Sequence, residues 1–520
     1  MDGNDKTMTN GTDAAIRLFK GLDRKNMSCN GSRYEEGGKY EAEPGAAHDV
    51  HEYPIACLRG HAPNDSVYRE VTQGGSETVS AQISIGKRLN GVDMAKAAAE
   101  YIKRDPSHTG GVISSHSIAS CASSNMHKGA ALVSNDWSTA CASGESSASL
   151  SRGKCTVSAV TGEMSVAAAE GYRSVAASTE RRSMASADGR ENIAAAMGCQ
   201  SAAEAYGVEN ISASVGNRSL SSTDGQHSVS ASTGINSESV ADGMFSISAA
   251  ANERSASSAN GEYCVSASTG AEGKSVADGS YCAAVSTGRQ GKASVCKNMG
   301  AAVSTGYQSQ SSSIGAHTIS AVTGEHAEST AKGDFCISVA TSRKSSSEAY
   351  GDSCVSAVTE GGSSIASGDR CVSATTGENK NAMCKGTDFS SITYGQSCAS
   401  VSTGKSSLAY ATGGGSVAAS TGRHGKAVIG GTNGVSVITG NSGGAFASKG
   451  SAAVAFGDGC TATGECGAWL ILTEWGCSDT DTNGEAERIV KDIKAFLVDG
   501  VKILPRRKYI LRNGEAVLVE

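Results

Sequence analysis

The chain has 520 residues, of which 65 are glycine and 5 are proline, and aromatic residues make up 5% of it. Serine, alanine, glycine and threonine dominate, so bulky side chains are too few to fill the several wide cores that this length would otherwise suggest. The formal net charge of −7 does not provide the basic surface that nucleic-acid binding needs, and we predict no nucleic-acid partner.

Signals for export or membrane insertion are not evident in the sequence. No apolar run approaches the roughly 20 residues that cross a bilayer. The opening residues, MDGNDKTMTNGTDAAIRLFKG, do not have the basic and apolar regions of a secretory signal. The 17 cysteines are then expected to be free thiols in a reducing compartment. We expect a cytoplasmic protein with no membrane partner.

Residues 1–110 carry more charge and more bulky side chains than the rest, and we predict a small α/β or α+β domain there. The segments IRLFKGLDRKNMSCNGSRYEEGGKY (16–40) and HEYPIACLRGHAPNDSVYREVTQGG (51–75) resemble an uncharacterised module at the front of bacterial and phage proteins. The resemblance is carried by FKG, by MSC with Tyr34 and Gly37 downstream, and by EYP followed by YREV. That module has a glycine–aromatic–His–x–Cys word before EYP, where this chain reads AAHDVH. The resemblance covers about a fifth of the chain and implies no established activity.

Histidine and cysteine residues in this domain form a candidate zinc site. The predicted ligands are His48, His51, Cys57 and His61. Their H-x2-H and C-x3-H spacings are compatible with zinc, and Cys29 lies upstream as a further candidate. The alternative, in which these side chains have packing and surface roles and the protein has no cofactor, stays open.

The segment MAKAAAEYIKRD (94–105) is predicted to be a helix. Met94, Ala98 and Ile102 are spaced to lie on one face of it. We expect this helix to bridge or cap the first turn of the repeated region that follows.

From Gly144 onwards the sequence repeats every nine residues. Glycine occupies 20 of the 25 positions reached by steps of nine up to residue 360. One residue is then lost, and the glycines resume at Gly368 and continue to Gly440 without a miss. Every second glycine tends to follow threonine, so the true period is eighteen and consists of two unequal halves. We call these positions the glycine register.

This period predicts an all-β fold, a parallel β-solenoid or β-roll over residues 111–466. A nine-residue half fits a strand of about five residues and a tight turn in which glycine supplies a positive φ. Two halves make one coil, and we expect about sixteen coils stacked at the roughly 4.8 Å spacing of neighbouring strands. A helix is disfavoured because no 3.6-residue stripe runs through the repeats.

Cysteines and threonines recur at fixed places in the repeat. We predict a structural ladder made of Cys264, Cys282, Cys336, Cys354, Cys371, Cys398, Thr269, Thr287, Thr305 and Thr323. The cysteines, three residues after register positions, are expected to stack on adjacent coils as buried small side chains, with a metal or redox ladder as the alternative. The threonines are expected to hydrogen-bond to the turn backbone, with an ice-binding face as the alternative. The repeat does not provide the converging carboxylates of a calcium β-roll, and we predict no catalytic residues in it.

The last coils change in style. Residues 450–464 read GSAAVAFGDGCTATG, with glycines seven apart, and resemble the head repeat of YadA-type trimeric adhesins. The resemblance is looser over the eighteen-residue repeats, as in KSVADG (274–279). It implies a parallel β-roll, because the adhesin heads have that fold.

Residues 467–520 are predicted to form a C-terminal β cap, which covers the strand edges that the last coil would otherwise expose. The segment contains the apolar run GAWLILTEWG, in which Trp469 and Trp475 are expected to cover the end, and two predicted hairpin turns, Asp499-Gly500 and Asn513-Gly514. It resembles the closing segment of phage and bacterial repeat proteins. Homo-oligomerisation through this apolar cap is an alternative.

We therefore expect a non-enzymatic scaffold or binding protein, encoded by a phage or prophage, that engages a host macromolecule such as a defence component. A protein partner in the host cytoplasm follows from this hypothesis. One alternative is an enzyme in the N-terminal domain, zinc-dependent or with a degenerate ADP-ribosyltransferase-like fold built on FKG, His51, Glu52 and Tyr53. Another is a virion or surface fibre of the trimeric adhesin-head type.

Overall fold

A computed structural model describes residues 17–25, 27–29, 32–41, 48–73, 82–104, 111–360, 362–377, 380–388, 390–477 and 488–519. The chain folds into two compact units, Met1–Ala241 and Asp242–Glu520. In each unit the main elements are parallel strands stacked in two facing sheets. The predicted class, an all-β parallel solenoid with small terminal additions, is confirmed.

The first unit begins with a small α+β module, as predicted. Its sheet has four antiparallel strands in the spatial order Leu18–Asp23, Ser66–Gln73, Gln82–Leu89 and Lys39–Glu41. Its other elements are the two-residue strands Ser28–Cys29 and Ser32–Arg33, the 3-10 helix Pro54–Ala56, the short helix Cys57–Gly60 and the long helix Gly91–Arg104.

The long helix starts three residues earlier than the predicted range. Asn90 caps it, because its Oδ1 accepts a 2.8 Å hydrogen bond from the backbone N–H of Asp93. Met94, Ala98 and Ile102 are buried as predicted, in one apolar cluster with residues of four successive strands of the solenoid. The helix therefore lies along the side of these coils. Residue 105, the last of the predicted range, is outside the described residues.

Each coil of the first unit contributes one strand to each sheet. The strands of sheet 1 are Cys121–Ser124, Thr139–Ala142, Val157–Val160, Val175–Ser178, Ile193–Met197, Ile211–Val215 and Val229–Thr233. The strands of sheet 2 are Val112–Ser115, Ala130–Val133, Ala148–Lys154, Val166–Tyr172, Met184–Arg190, Ala202–Val208 and Leu220–Asp224, and Glu238–Asp242 contains the boundary between the units. Neighbouring strands pair in parallel with a shift of eighteen residues, as Thr139 does with Val157.

The second unit repeats the same arrangement. The strands of sheet 1 are Ile247–Ala251, Val265–Thr269, Ala283–Thr287, Ala301–Thr305, Ile319–Thr323, Ile337–Thr341, Val355–Thr359, Val372–Thr376, Ser390–Tyr394, Leu408–Thr412, Lys426–Ile429, Gly444–Ala447 and Thr461–Gly464. The strands of sheet 2 are Ala256–Asn260, Lys274–Asp278, Lys292–Val295, Gln310–Ile314, Glu328–Lys332, Ser345–Tyr350, Gly362–Ser367, Asn381–Lys385, Ala399–Thr403, Val417–Ser420, Val435–Ile438, Ala452–Ala455 and Trp469–Cys477.

The coils outnumber the predicted sixteen. Sheet 1 has seven described strands in the first unit and thirteen in the second. The additional coils lie outside the glycine register: Cys121 pairs in parallel with Thr139 before Gly144, and Gly444 pairs with Thr461 after Gly440. Parallel pairing requires strands and turns of matching length. The outer coils keep these lengths although they have no register glycines.

The interior of the solenoid is thin and polar. In the second unit eight buried serines form a continuous chain of hydrogen bonds, with Oγ–Oγ distances of 2.8–2.9 Å, in the order Ser311, Ser320, Ser329, Ser338, Ser347, Ser356, Ser364 and Ser373. Consecutive members lie on opposite sheets, so the chain crosses the interior at every step. Paired hydroxyls are what allow so many polar side chains to be buried.

The glycine register has a steric cause beyond turn geometry. Gly306 has a φ of +124°, and a Cβ at this position would lie 2.3 Å from the carbonyl oxygen of Gly288, one coil earlier. Close stacking of the coils thus disfavours a side chain at this position. The residue two places further on, Gln308, has a φ of 55°. We call this second site the corner position, and at Gln308 its side chain is exposed to solvent.

The C-terminal cap is confirmed as a β structure. Trp469–Cys477 pairs antiparallel with Arg488–Leu497, and Lys508–Arg512 pairs antiparallel with Glu515–Val519. Asn513 and Gly514 both have positive φ, at 50° and 74°, as the predicted tight hairpin turn requires.

Two details of the cap differ from expectation. Asp499-Gly500 is not a two-residue hairpin, because Asp499 Oδ1 accepts hydrogen bonds of 2.8–3.0 Å from three successive backbone N–H groups and organises a longer loop. Trp469 points outward and is 47% exposed, whereas its neighbours Leu470 and Leu472 are fully buried. Alternation along the strand puts the leucines, and not Trp469, over the last coil.

Candidate functional site

The candidate site lies in the N-terminal module, where the segment 48–51 runs beside the strand Leu18–Asp23. Phe19 and His51 exchange two backbone hydrogen bonds of 2.8 Å. Lys20 is buried, and its Nζ donates a 2.9 Å hydrogen bond to the backbone oxygen of Asp49. These bonds hold Asp49 and His51 against the strand that contains the FKG word.

His61 is held from three directions. Its backbone N–H donates to the carbonyl oxygen of Cys57 at 3.0 Å, and its own carbonyl oxygen accepts from the Tyr68 hydroxyl at 2.7 Å. Its imidazole packs directly on the backbone of Gly21, where a Cβ would lie 2.5 Å from His61 Cγ. The glycine of FKG therefore makes room for this histidine.

Cys29, Asp49 and His61 come together as a cluster. Cys29 is buried, and its Sγ lies 3.7 Å from His61 Nε2. One carboxylate oxygen of Asp49 joins them, so that the three ligand-type atoms lie within 4.8 Å of one another. Asp49 also contacts His51, with 3.5 Å between Oδ1 and Nε2. No other such group of three occurs in the part of the chain that the structure describes.

Burial shifts the pKa values of His61, His48 and Tyr34, which lie in or near the cluster. Burial lowers the pKa of His61, and the positive charge of Lys20 lowers it further, against the opposing effect of Asp49. Burial likewise lowers the pKa of His48 and raises the pKa of Tyr34. The two histidines are therefore neutral near pH 7, and Tyr34 keeps its proton.

The structure separates the ligands that were predicted from the sequence. His48 contacts Tyr34 and Tyr40, with Nδ1 3.4 Å from the Tyr34 hydroxyl and Nε2 3.3 Å from the Tyr40 carbonyl oxygen. Cys57 is fully buried in the apolar cluster, and burial raises the pKa of its thiol far above the usual range. His61 joins the cluster together with Cys29, the upstream candidate, while His51 contacts it through Asp49.

A cavity of about 350 Å³ adjoins the cluster. Asp49 and His51 line it, together with the basic side chains of Arg59 and Lys128. Tyr53, part of the run considered for an ADP-ribosyltransferase-like site, also lines it, but its buried hydroxyl donates a hydrogen bond to a backbone oxygen at 2.5 Å. Glu52 of the same run is exposed.

A second feature lies on the surface of the second unit. Six large side chains occupy successive corner positions that precede sheet 1, and we call them the aromatic column: Phe245, Tyr263, Tyr281, Met299, His317 and Phe335. All six are exposed, five of them between 45% and 53%. Ring centroids are 5.0 Å apart for Phe245 and Tyr263, 4.8 Å for Tyr263 and Tyr281, and 4.9 Å for His317 and Phe335, with nearly parallel planes.

The corner positions that precede sheet 2 provide a contrast. Over the same coils they form a polar column of exposed residues: Arg254, Glu272, Gln290, Gln308, His326 and Lys344. Backbone φ is 55–58° in the polar column and 57–61° in the aromatic column. Since the backbone is the same, the turn itself does not require aromatic side chains.

The predicted ladder residues lie inside and beside the coils. The backbone N–H of Cys264 donates to Cys282 Sγ at 3.2 Å, and that of Cys336 donates to Cys354 Sγ at 3.4 Å, so these cysteines lie on adjacent coils. Cys354 and Cys371 are related in the same way at 3.3 Å, and Cys398 is also buried. The backbone carbonyl oxygens of Thr287, Thr305 and Thr323, and not their hydroxyls, accept hydrogen bonds from the N–H groups of register glycines. Thr269 and Thr323 are exposed.

The buried thiols are expected to resist alkylation. Burial raises the pKa of Cys354 to about 12, so almost no reactive thiolate is present at pH 8. At that pH we expect iodoacetamide to modify Cys354 at least about a hundredfold more slowly than the exposed Cys121 and Cys199. Mass spectrometry of the native protein measures both rates. Equal rates would show that these coils open readily.

Comparisons of the chain with protein-family models, with curated proteins and with solved structures find no match. Among the described residues, no helix is long and apolar enough to span a membrane. The chemistry of the N-terminal cluster and of the aromatic column is therefore the guide to function.

Proposed function

We propose that this protein is a non-enzymatic β-solenoid scaffold that binds another protein through its aromatic column. The observation that carries this proposal is the contrast between the two columns. They share a backbone conformation, but the side chains of one are mainly aromatic and those of the other are mainly polar or charged. A positive φ is unfavourable for bulky residues and is tolerated best by glycine and asparagine. The turn therefore does not need these large side chains, and their exposure leaves them available to a partner.

The surface around the column suits a protein partner. Tyrosine, phenylalanine and methionine are enriched in protein interfaces and contribute many of their binding hot spots. Exposed aliphatic residues at the start of the adjoining strands widen the apolar strip, namely Ile247, Val265, Ile319 and Ile337. At roughly 4.8 Å per coil, the column extends about 24 Å, enough for a specific contact.

Acidic residues border the column and suggest the charge of the partner. Glu262 and Asp334 are exposed and directly precede Tyr263 and Phe335 in the chain. A partner with an apolar centre and a basic rim would complement this surface and would be steered to it by charge.

The identity of the partner rests on analogy. The resemblance of residues 16–75 and 467–520 to modules of phage and bacterial repeat proteins supports a phage or prophage origin. We therefore propose a host protein as the partner, in the host cytoplasm, with a component of host defence as one such protein. The trimeric-fibre alternative predicts a different mass in solution, since a monomer has 52.4 kDa. Light scattering separates the two.

Replacing Phe245, Tyr263 and Tyr281 together by asparagine is expected to abolish partner binding without unfolding the protein. Asparagine tolerates positive φ well, which offsets part of the stability lost with the stacked rings, so the fold should be retained. Loss of a hot spot weakens binding by about tenfold or more. The measurement is quantitative mass spectrometry of proteins captured from a host lysate, followed by titration of the captured protein against the purified variant.

The matched control replaces Glu272, Gln290 and Gln308 of the polar column by asparagine. This control is expected to keep full binding, because it changes the same number of corner positions on the other side. Binding that survives in the aromatic variant, or that is lost equally in the control, would contradict the proposal.

A further inference from the structure

We infer that Cys29, Asp49 and His61 bind one divalent ion of the zinc class. The inference is independent of the proposed protein binding, because the three residues belong to the N-terminal module and the aromatic column belongs to the second unit. It also differs from the four predicted ligands His48, His51, Cys57 and His61, of which only His61 belongs to this cluster, although Cys29 was named as a further candidate.

The spacing of the ligand atoms fits tetrahedral zinc. Zinc–sulfur and zinc–nitrogen bonds of about 2.3 and 2.0 Å place a sulfur and a nitrogen ligand roughly 3.5 Å apart at a tetrahedral angle. Cys29 Sγ and His61 Nε2 are 3.7 Å apart. A carboxylate oxygen of Asp49 lies within 4.8 Å of both, so a small movement of this exposed side chain completes three ligands.

The types of ligand select the metal. Calcium and magnesium take oxygen ligands and would leave the thiol and the imidazole unused. One thiolate, one imidazole and one carboxylate suit zinc, which accepts sulfur, nitrogen and oxygen together. The two anionic ligands also balance the charge of the ion, which limits its repulsion of the buried Lys20 nearby.

The residues around the cluster hold the ligands in place. The imidazole of His61 packs on the backbone of Gly21, and the Tyr68 hydroxyl donates a hydrogen bond to the backbone oxygen of His61. The Lys20 ammonium fixes the backbone of Asp49, and His51 lies 3.5 Å from its carboxylate. Such outer contacts orient metal ligands and raise affinity. Because Asp49 also lines the 350 Å³ cavity, a water molecule can take the fourth position from that side.

The test uses the full-length protein, kept reduced and stripped of metal with a chelator. Zinc and cobalt are then titrated, with cobalt absorption reporting a thiolate ligand and elemental analysis reporting stoichiometry. We expect one tightly held ion per chain. Cys29→Ser, Asp49→Asn and His61→Gln should each weaken binding by about tenfold to a hundredfold or more.

Control variants distinguish this site from the other 16 cysteines and from the sequence-based ligand set. His48→Gln and Cys121→Ser are expected to leave zinc affinity unchanged. Loss of binding in His48→Gln would instead favour the sequence-based set and overturn the inference. So would the absence of tight binding, or a bound ion that survives Cys29→Ser. Asp49 is exposed, so Asp49→Asn tests a ligand without disturbing the core, and circular dichroism checks the fold of every variant.

Discussion

Replacing Gly306 by alanine is expected to lower the free energy of unfolding of the second unit by about 3 kcal/mol or more. The new Cβ would lie 2.3 Å from the carbonyl oxygen of Gly288. The alanine would also have to adopt a backbone φ of +124°, which residues other than glycine rarely adopt. The clash is with backbone, so no rotamer change relieves it and the coils must separate locally. Denaturant unfolding measures the change, and hydrogen exchange locates it.

The matched control for this experiment is Gln308→Ala, two residues further along the same turn. Gln308 is exposed and its backbone already carries a Cβ, so its truncation should change stability by no more than about 0.5 kcal/mol. In a solenoid each coil contacts only its neighbours, and faster exchange should be confined to the coils next to residue 306. Similar stabilities for the two variants would show that stacking does not set the glycine register.

The same clash explains how much of the fold was predictable. At Gly306 and most other register positions a Cβ would meet the backbone one coil away, so the nine-residue spacing of the glycines reflects the stacking of the coils. The number of coils was not predictable, since Val112–Ser115 and the last coils pair without register glycines. The cap loop at Asp499 also escaped prediction, because its conformation is set by a carboxylate that binds three backbone groups.

The candidate metal site was only partly predictable, for a reason that lies in backbone geometry. The H-x2-H spacing of His48 and His51 suggested a shared ion. In an extended segment, however, residues three apart point to opposite sides and residues two apart share a side. Asp49 and His51 therefore meet, whereas His48 turns towards Tyr34 and Tyr40. The spacing of HDVH (48–51) predicts that Asp49 and His51 share a side only if the segment is extended. The sequence alone did not show that this segment lies along a strand.

The aromatic column escaped the sequence analysis for a different reason. Cys264 and Cys282 were predicted to be ladder residues, whereas no role was predicted for Tyr263 and Tyr281, which directly precede them. The significance of these tyrosines depends on the corner position, where a side chain is exposed and its ring stacks on the ring of the next coil.

Replacing Gly21 by alanine is expected to destabilise the N-terminal module by about 2 kcal/mol and to separate Cys29 from His61. A Cβ on Gly21 would lie 2.5 Å from Cγ and 2.6 Å from Cβ of His61, so the root of the imidazole must move. The proposed zinc site would then lose the position of one ligand. Calorimetric unfolding measures the first effect, and cobalt titration measures the second as a loss of about tenfold or more in affinity.

Gly60→Ala is the matched control, because Gly60 precedes His61 in the chain and nothing lies within 4 Å of a Cβ at that position. Alanine is favoured over glycine in a helix, so this variant should match or exceed the stability of the parent and keep its affinity for cobalt. The two readouts also separate two roles of Gly21. If Gly21→Ala loses stability but binds cobalt as tightly as the parent, the glycine serves packing alone and His61 is not a ligand. If both are lost together while Gly60→Ala keeps both, the glycine of FKG is there to position a metal-binding histidine.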